Sequence, residues 1–309
     1  MINEVFNHPV DLAKAVVQSL QNPLLEQQQV ALDVLRLDRI HPVIAGNKWF
    51  KLKYHLKQAL QENKKGMITF GGAWSNHLVA TAYACQQAGL DCIGIIRGEE
   101  PAGTSATLQE VQQYSMHLQF IPRSLYSREA AMIGSFQTTH PEYHIVPQGG
   151  QSALGVQGAA EILQLAPLQN YTHIACATGT GTMLAGLVQS SLPNQQVIGV
   201  CSLKIPAQTE NSLHAFVQPY ATGQKNFRIF YDYHFGGYAR KTNELITFMN
   251  TFYQTCNLPT DFVYTGKLLY GITDRIKTGY FEKGSRILVI HSGGLQGNRS
   301  LPAGTLTFL

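Results

Sequence analysis

Short apolar runs recur along this chain, and each leads straight into a turn rich in Gly, Ser or Thr. Met67–Phe70 runs into Gly71-Gly72, His173–Ala177 into the turn at 178–182, and Arg286–Ile290 into His291-Ser292-Gly293-Gly294. Helical periodicity follows the first two, over Leu78–Gln87 and Met183–Ser190. Upstream, Trp49, Leu52, Leu56 and Leu60 form a helical stripe. Further strands are expected at Cys92–Ile96, His144–Val146 and Gln196–Val200. Helices are expected at about Ser105–His117, Ala159–Leu165, Glu244–Tyr253 and Lys267–Thr278, and an exposed loop at 219–227. Strands alternating with helices give parallel sheet with helices on both faces. The class is α/β.

In such a sheet, ligands bind beyond the carboxyl ends of the strands. The run Thr178-Gly179-Thr180-Gly181-Thr182 lies at such an end. Its glycines let backbone approach an anion, and the free amides of a helix start point at it. It lacks the G-x-x-x-x-G-K-[ST] of a nucleoside-triphosphate loop. A G-x-G-x-x-G fingerprint fails too, because residue 184 is Leu. The run suits a single phosphate, although alone it is also compatible with a tight turn. Ser75 reads as a helix N-cap after Gly71-Gly72-Ala73-Trp74, and the amides at Ser75, Asn76 and His77 suit a carboxylate. Gly293-Gly294 leaves room for a planar ring.

Lys48 follows Gly46-Asn47 and opens the helix of the 49, 52, 56, 60 stripe. A cation is disfavoured at a helix start, and an amine disfavoured as ammonium is a better nucleophile, although the spacing alone is equally that of a solvated surface lysine. An amine, a phosphate cup and a carboxylate cup together are what a pyridoxal-phosphate enzyme acting on an amino acid needs.

The remaining composition narrows the setting. The chain has 309 residues, enough for two lobes, with 23 Lys plus Arg against 19 Asp plus Glu, a formal charge of +4. No basic block exceeds two neighbours, which argues against nucleic acid as partner. The five cysteines form no C-x-x-C pair, so neither a disulfide framework nor a thiolate metal site is expected. The start has no signal-peptide pattern and no run reaches 18 apolar residues, so a cytoplasmic protein without a membrane span is expected.

Five motifs in order, GNKWFKLKY (46–54), GGAWSNH (71–77), ATGTGTMLAGL (177–187), FGGYARKTNELI (235–246) and DFVYTGKLLYG (261–271), with IHSGG (290–294) closing, carry a resemblance. The chain resembles the 1-aminocyclopropane-1-carboxylate deaminase and D-cysteine desulfhydrase family over residues 38–297. The resemblance implies pyridoxal 5'-phosphate as cofactor and the tryptophan-synthase-β-like fold (fold type II), with two open twisted, mainly parallel sheets. It implies a smaller inserted domain at 49–150, a larger cofactor-binding domain from 1–48 and 151–309, and a homodimer.

By position, the resemblance makes Lys48 the Schiff-base lysine and Lys51 a second lysine near the site. Asn76 becomes the partner of the cofactor's phenolic oxygen, and Thr178, Gly179, Thr180, Gly181 and Thr182 the phosphate loop. Thr265 falls at the position of the pyridine nitrogen's partner. Ser75, Tyr238 and Tyr264 are implied catalytic residues, and Trp74, Ser75, Asn76 and His77 are placed around the substrate. No metal is implied. Deaminases of the family carry Y-E-G-K where this chain has Tyr264-Thr265-Gly266-Lys267, as desulfhydrases do. A hydroxyl partner withdraws electrons less than a carboxylate-paired pyridinium, which favours β-elimination of a good leaving group over ring opening. The expected activity is therefore D-cysteine desulfhydrase-like, acting on a small amino acid. The alternatives are the deaminase and a non-catalytic binding protein that keeps the cup. Trp74 replaces a usual Gln, Ala45 a usual Gly and Ser292 a usual Thr, so the substrate pocket departs from the family pattern.

Overall fold

A computed structural model describes residues 2–126, 129–223 and 225–308. Ten strands form two sheets: β1 (Val17–Leu20), β2 (Ala31–Arg36), β3 (Gly66–Gly71), β4 (Asp91–Arg97), β5 (Met116–Ile121), β6 (Tyr143–Val146), β7 (His173–Thr178), β8 (Gln196–Cys201), β9 (Asn226–Phe230) and β10 (Arg286–His291). The larger sheet runs β1-β2-β10-β7-β8-β9 and the smaller β5-β4-β3-β6. All pairings are parallel except β1 with β2. The sheets are thus mainly parallel α/β layers, as the motifs lead one to expect. The smaller sheet is built wholly from residues 66–146.

Both faces of the larger sheet are apolar. Leu35, Ile174, Val197 and Leu288 face one core, while their neighbours Val34, Ala175, Ile198 and Val289 face another. Successive strand residues point to opposite faces, so a continuous apolar run is what a doubly covered parallel strand requires. The first core continues into the smaller sheet through Met67 and Ile96. It is bridged by the helices Asn47–Gln61, Asn76–Gln87, Ala153–Ala160 and Thr182–Ser190.

Three local expectations change. The helix expected over Ser105–His117 spans Ala106–Gln113, because Ser115 takes a positive φ of 61° and turns the chain into β5. The loop expected at 219–227, of which residue 224 lies outside the described residues, gives way to β9 at Asn226. Ser75 holds the N-cap position of Asn76–Gln87, but its side chain makes no capping bond.

Candidate active site

Every feature singled out at a strand end faces the same region. The Gly71–Asn76 turn follows β3, the threonine-rich turn follows β7, and Ser292–Gly294 follows β10. The helix carrying Lys48 starts against this last turn: the Asn47 amide donates to the Ser292 carbonyl at 3.2 Å. Gly46, at φ 66°, is required there, since a Cβ would lie 1.9 Å from that carbonyl oxygen.

Lys48 Nζ donates to Asn47 Oδ1 at 2.7 Å. Burial pulls its pKa down to about 8, against the opposing pull of Asp261. Lys51, one turn along, is pulled down to about 7 by burial and by the Lys48 charge. Two buried amines at i and i+3 disfavour each other's protonation, so both are unusually ready to act as free amines.

Of the three amides expected to suit a carboxylate, that of Ser75 is taken by the Gly72 carbonyl at 2.9 Å and the Leu78 amide by the Ser75 carbonyl at 3.1 Å, so those of Asn76 and His77 remain at the helix start. Gly71 lacks a Cβ and so admits Ser75: a Cβ there would lie 2.9 Å from Ser75 Oγ. The Ser75 hydroxyl leans on β3 and is left unused by its own helix. Asn76 is 8% exposed, yet its Oδ1 is buried without a partner among the described residues and its Nδ2 makes only a 3.5 Å contact to the Gly294 carbonyl. This amide has capacity to spare for a ligand.

His77 is placed differently from the rest, beneath the cleft. Thr69 Oγ1 donates to the Val146 carbonyl at 3.0 Å and lies 2.9 Å from His77 Nε2. The His77 Nε2–H must therefore be the donor. Burial and the Lys48 and Lys51 charges hold the ring neutral, with its pKa well below normal. Its side chain orders the turn, in contrast to the expected place beside the substrate.

Across the cleft, Gly181 (φ 86°) starts the Thr182–Ser190 helix with no side-chain cap. Thr180 Oγ1 and Thr182 Oγ1 lie 3.0 Å apart. Gln151 Nε2 donates to the Thr180 carbonyl at 2.9 Å and steadies the turn. Thr178 is buried at its entrance. The Tyr264 ring packs on Gly179, where a Cβ would meet it at 3.4 Å, and it meets Tyr238 edge-on with ring centroids 6.2 Å apart. Tyr238 is 43% exposed as a residue, while burial around its hydroxyl and the nearby Asp261 charge push its pKa up to about 12. Burial raises Tyr264 further. Both hydroxyls keep their protons at neutral pH and can serve as donors. A cavity of about 260 Å³ opens here, with Trp74, Asn76, Tyr238 and Tyr264 in its wall.

One site group lies in the motif at 261–271 but was given no role by the sequence. Asp261 is fully buried. Its Oδ1 accepts from the Val263 and Tyr264 amides at 2.9 and 2.7 Å, and its Oδ2 from the Thr265 amide and hydroxyl at 2.9 and 2.6 Å. A Cβ on Gly294 would lie 3.2 Å from that Oδ2 and 3.4 Å from Asn76 Nδ2. Asp261 therefore backs Thr265, on the Asn76 side of the cleft. An acidic residue just ahead of a helix start was the available signal.

An amine, an uncapped helix start beside threonine hydroxyls, and a buried amide with spare capacity are groups that fit a phosphorylated carbonyl cofactor. The chain belongs to the pyridoxal-phosphate dependent enzyme family, whose model matches residues 20–293. It is 30% identical over 286 residues to a Pyrococcus furiosus protein named "Putative 1-aminocyclopropane-1-carboxylate deaminase", covering 86% of this chain and 85% of that one. It is 25% identical over 288 residues to D-cysteine desulfhydrase of Salmonella typhi, covering 84% and 86%. The crystal structure of an ACC deaminase homologue superposes with a TM-score of 0.77 at 25% identity, covering 96% and 95%. The fold is thus that of the type II pyridoxal-phosphate enzymes, and pyridoxal phosphate is the cofactor.

Proposed function

We propose that this enzyme is a lyase that eliminates the β-substituent of a small amino acid, with D-cysteine as its preferred substrate. D-cysteine and water would give pyruvate, ammonia and hydrogen sulfide. When bound, the cofactor supplies an electron sink for the substrate's α-carbon. Lys48 would anchor it, the 178–182 turn would hold its phosphate and Asn76 its phenolic oxygen. The amides at Asn76 and His77 would take the substrate carboxylate, with Ser75 beside the reacting carbon. Once displaced, Lys48 is the base suited to the α-proton, since its pKa lies near neutrality. Tyr238 and Tyr264, held protonated, would donate toward the departing thiolate.

The observation that carries the choice of reaction is the uncharged hydroxyl of Thr265 where deaminases of the family place a carboxylate. A neutral partner gives a weaker sink than a carboxylate. Thiolate loss tolerates that better than cleavage of a cyclopropane carbon–carbon bond. The similarity to D-cysteine desulfhydrase of Salmonella typhi along 84% of the chain supports the same reading.

The test is a side-by-side assay on D-cysteine, L-cysteine and 1-aminocyclopropane-1-carboxylate, for the wild type and Thr265→Glu. The wild type should turn over D-cysteine fastest, and the variant should raise ring-opening activity relative to desulfhydration. Faster ring opening by the wild type would assign it to the deaminases. An unchanged ratio in the variant would remove Thr265 as the determinant. The domain division that goes with this reading is 49–150 against 1–48 plus 151–309, with the substrate between them.

A further inference from the structure

Thr265 and Asp261 are joined by more hydrogen bonds than a helix cap needs. The Asp261 amide donates to Thr265 Oγ1 at 2.8 Å. Thr265 Oγ1 lies 2.6 Å from Asp261 Oδ2, and the Thr265 amide reaches the same oxygen at 2.9 Å. Oδ1 is occupied by two further backbone amides, those of Val263 and Tyr264. Three backbone amides, which can only donate, converge on the Asp261 oxygens and make them acceptors, so the Thr265 hydroxyl proton points at Asp261. One Thr265 lone pair is already taken by the Asp261 amide. A single lone pair is left, and no proton.

We infer that Asp261 fixes the direction of the Thr265 hydrogen bond, so that Thr265 meets the cofactor's ring nitrogen as an acceptor and selects the N-protonated pyridine. A free threonine hydroxyl could equally donate to an unprotonated ring nitrogen. Here that option is removed, because turning the proton away from Asp261 would leave a buried carboxylate oxygen short of its shortest donor. Asp261 is thus a positioning residue that acts through Thr265. The arrangement gives a neutral acceptor backed by a buried charge, weaker than a direct carboxylate but stronger than a lone hydroxyl. It remains compatible with elimination of a thiolate.

This inference rests on the placement of Thr265 against the ring nitrogen in the proposed function. The test reads the nitrogen itself: the holoenzyme is reconstituted with pyridoxal phosphate labelled with ¹⁵N in the ring, and its ¹⁵N resonance is recorded at neutral pH. The wild type and Thr265→Ser should show the protonated-pyridine shift, and Thr265→Val the unprotonated one. Asp261→Asn should also move the resonance to the unprotonated range, because its carboxamide can donate to Oγ1 and release the hydroxyl proton toward the ring. Should that variant not fold, the other three samples still decide. An unprotonated resonance in the wild type that moves in Thr265→Val would keep the placement and overturn the role of Asp261. A resonance that does not move between wild type and Thr265→Val would overturn the placement itself.

Discussion

Lys48 and Lys51 sit one helical turn apart with little water around either, and this sets two behaviours. Lys48 is the proposed anchor, so Lys48→Ala should lose both the yellow colour of bound cofactor and turnover. Retained turnover in a colourless variant would contradict the assignment. The second behaviour belongs to the cofactor-free protein. In the folded chain burial pulls Lys51 down to about 7 and Lys48 to about 8, against about 10.4 for a free lysine. Between these values the unfolded chain holds more protons than the folded one, so stability rises with pH. Below the folded values the full penalty of charging buried amines applies. The thermal midpoint of the apoprotein should climb from about pH 7 to about pH 10, and Lys51→Met should flatten the climb. Equal slopes in the two proteins would show that Lys51 is not held neutral by burial. Lys48, Asn76 and the 178–182 turn were legible because each combines an unusual residue with a strand end or helix start. Asp261 was not, since a carboxylate ahead of a helix is ordinarily a cap, and only its bonds to the Thr265 hydroxyl and amide reveal more.

At the scale of elements, close helix contacts hold the lysine helix in place. Gly158 in Ala153–Ala160 sits against the helix Asn47–Gln61 so closely that a Cβ would lie 1.7 Å from the Phe50 carbonyl oxygen. Alanine in place of glycine gains about 1 kcal/mol of helix propensity. Displacing a backbone carbonyl costs about 1–3 kcal/mol or more, so the clash wins. Gly158→Ala should lower the denaturant midpoint and weaken cofactor retention, since Phe50 lies two residues from Lys48. An unchanged or raised midpoint would contradict the close packing. The buried strands β3, β7 and β10 were readable as apolar runs. The edge strands were not: β9 alternates exposed and half-buried residues before one buried Phe230, and β1 has one buried residue in four. An edge strand buries too little to mark itself in composition. The Ser75 cap was a sound expectation overridden by tertiary structure, because Gly71 gives the hydroxyl another place to lie.

At the scale of the molecule, two sheets share one core and bring their strand ends to a common cleft. The proposed site draws on both: Ser75 and Asn76 come from the end of β3, while the 178–182 turn and Thr265 belong to the larger sheet and its helices. Among the described residues no helix is long and apolar enough to cross a membrane. Trp74, 39% exposed at the cleft wall, is the feature that most sets the pocket apart from the family pattern, and it makes substrate choice the central question. The most direct measurement is the visible absorption spectrum of the purified holoenzyme before and after addition of D-cysteine, with pyruvate and sulfide assayed in the same cuvette. The yellow band should shift on addition, with pyruvate and sulfide accumulating in equal amounts. A yellow band unmoved by D-cysteine, with neither product formed, would contradict the proposed elimination.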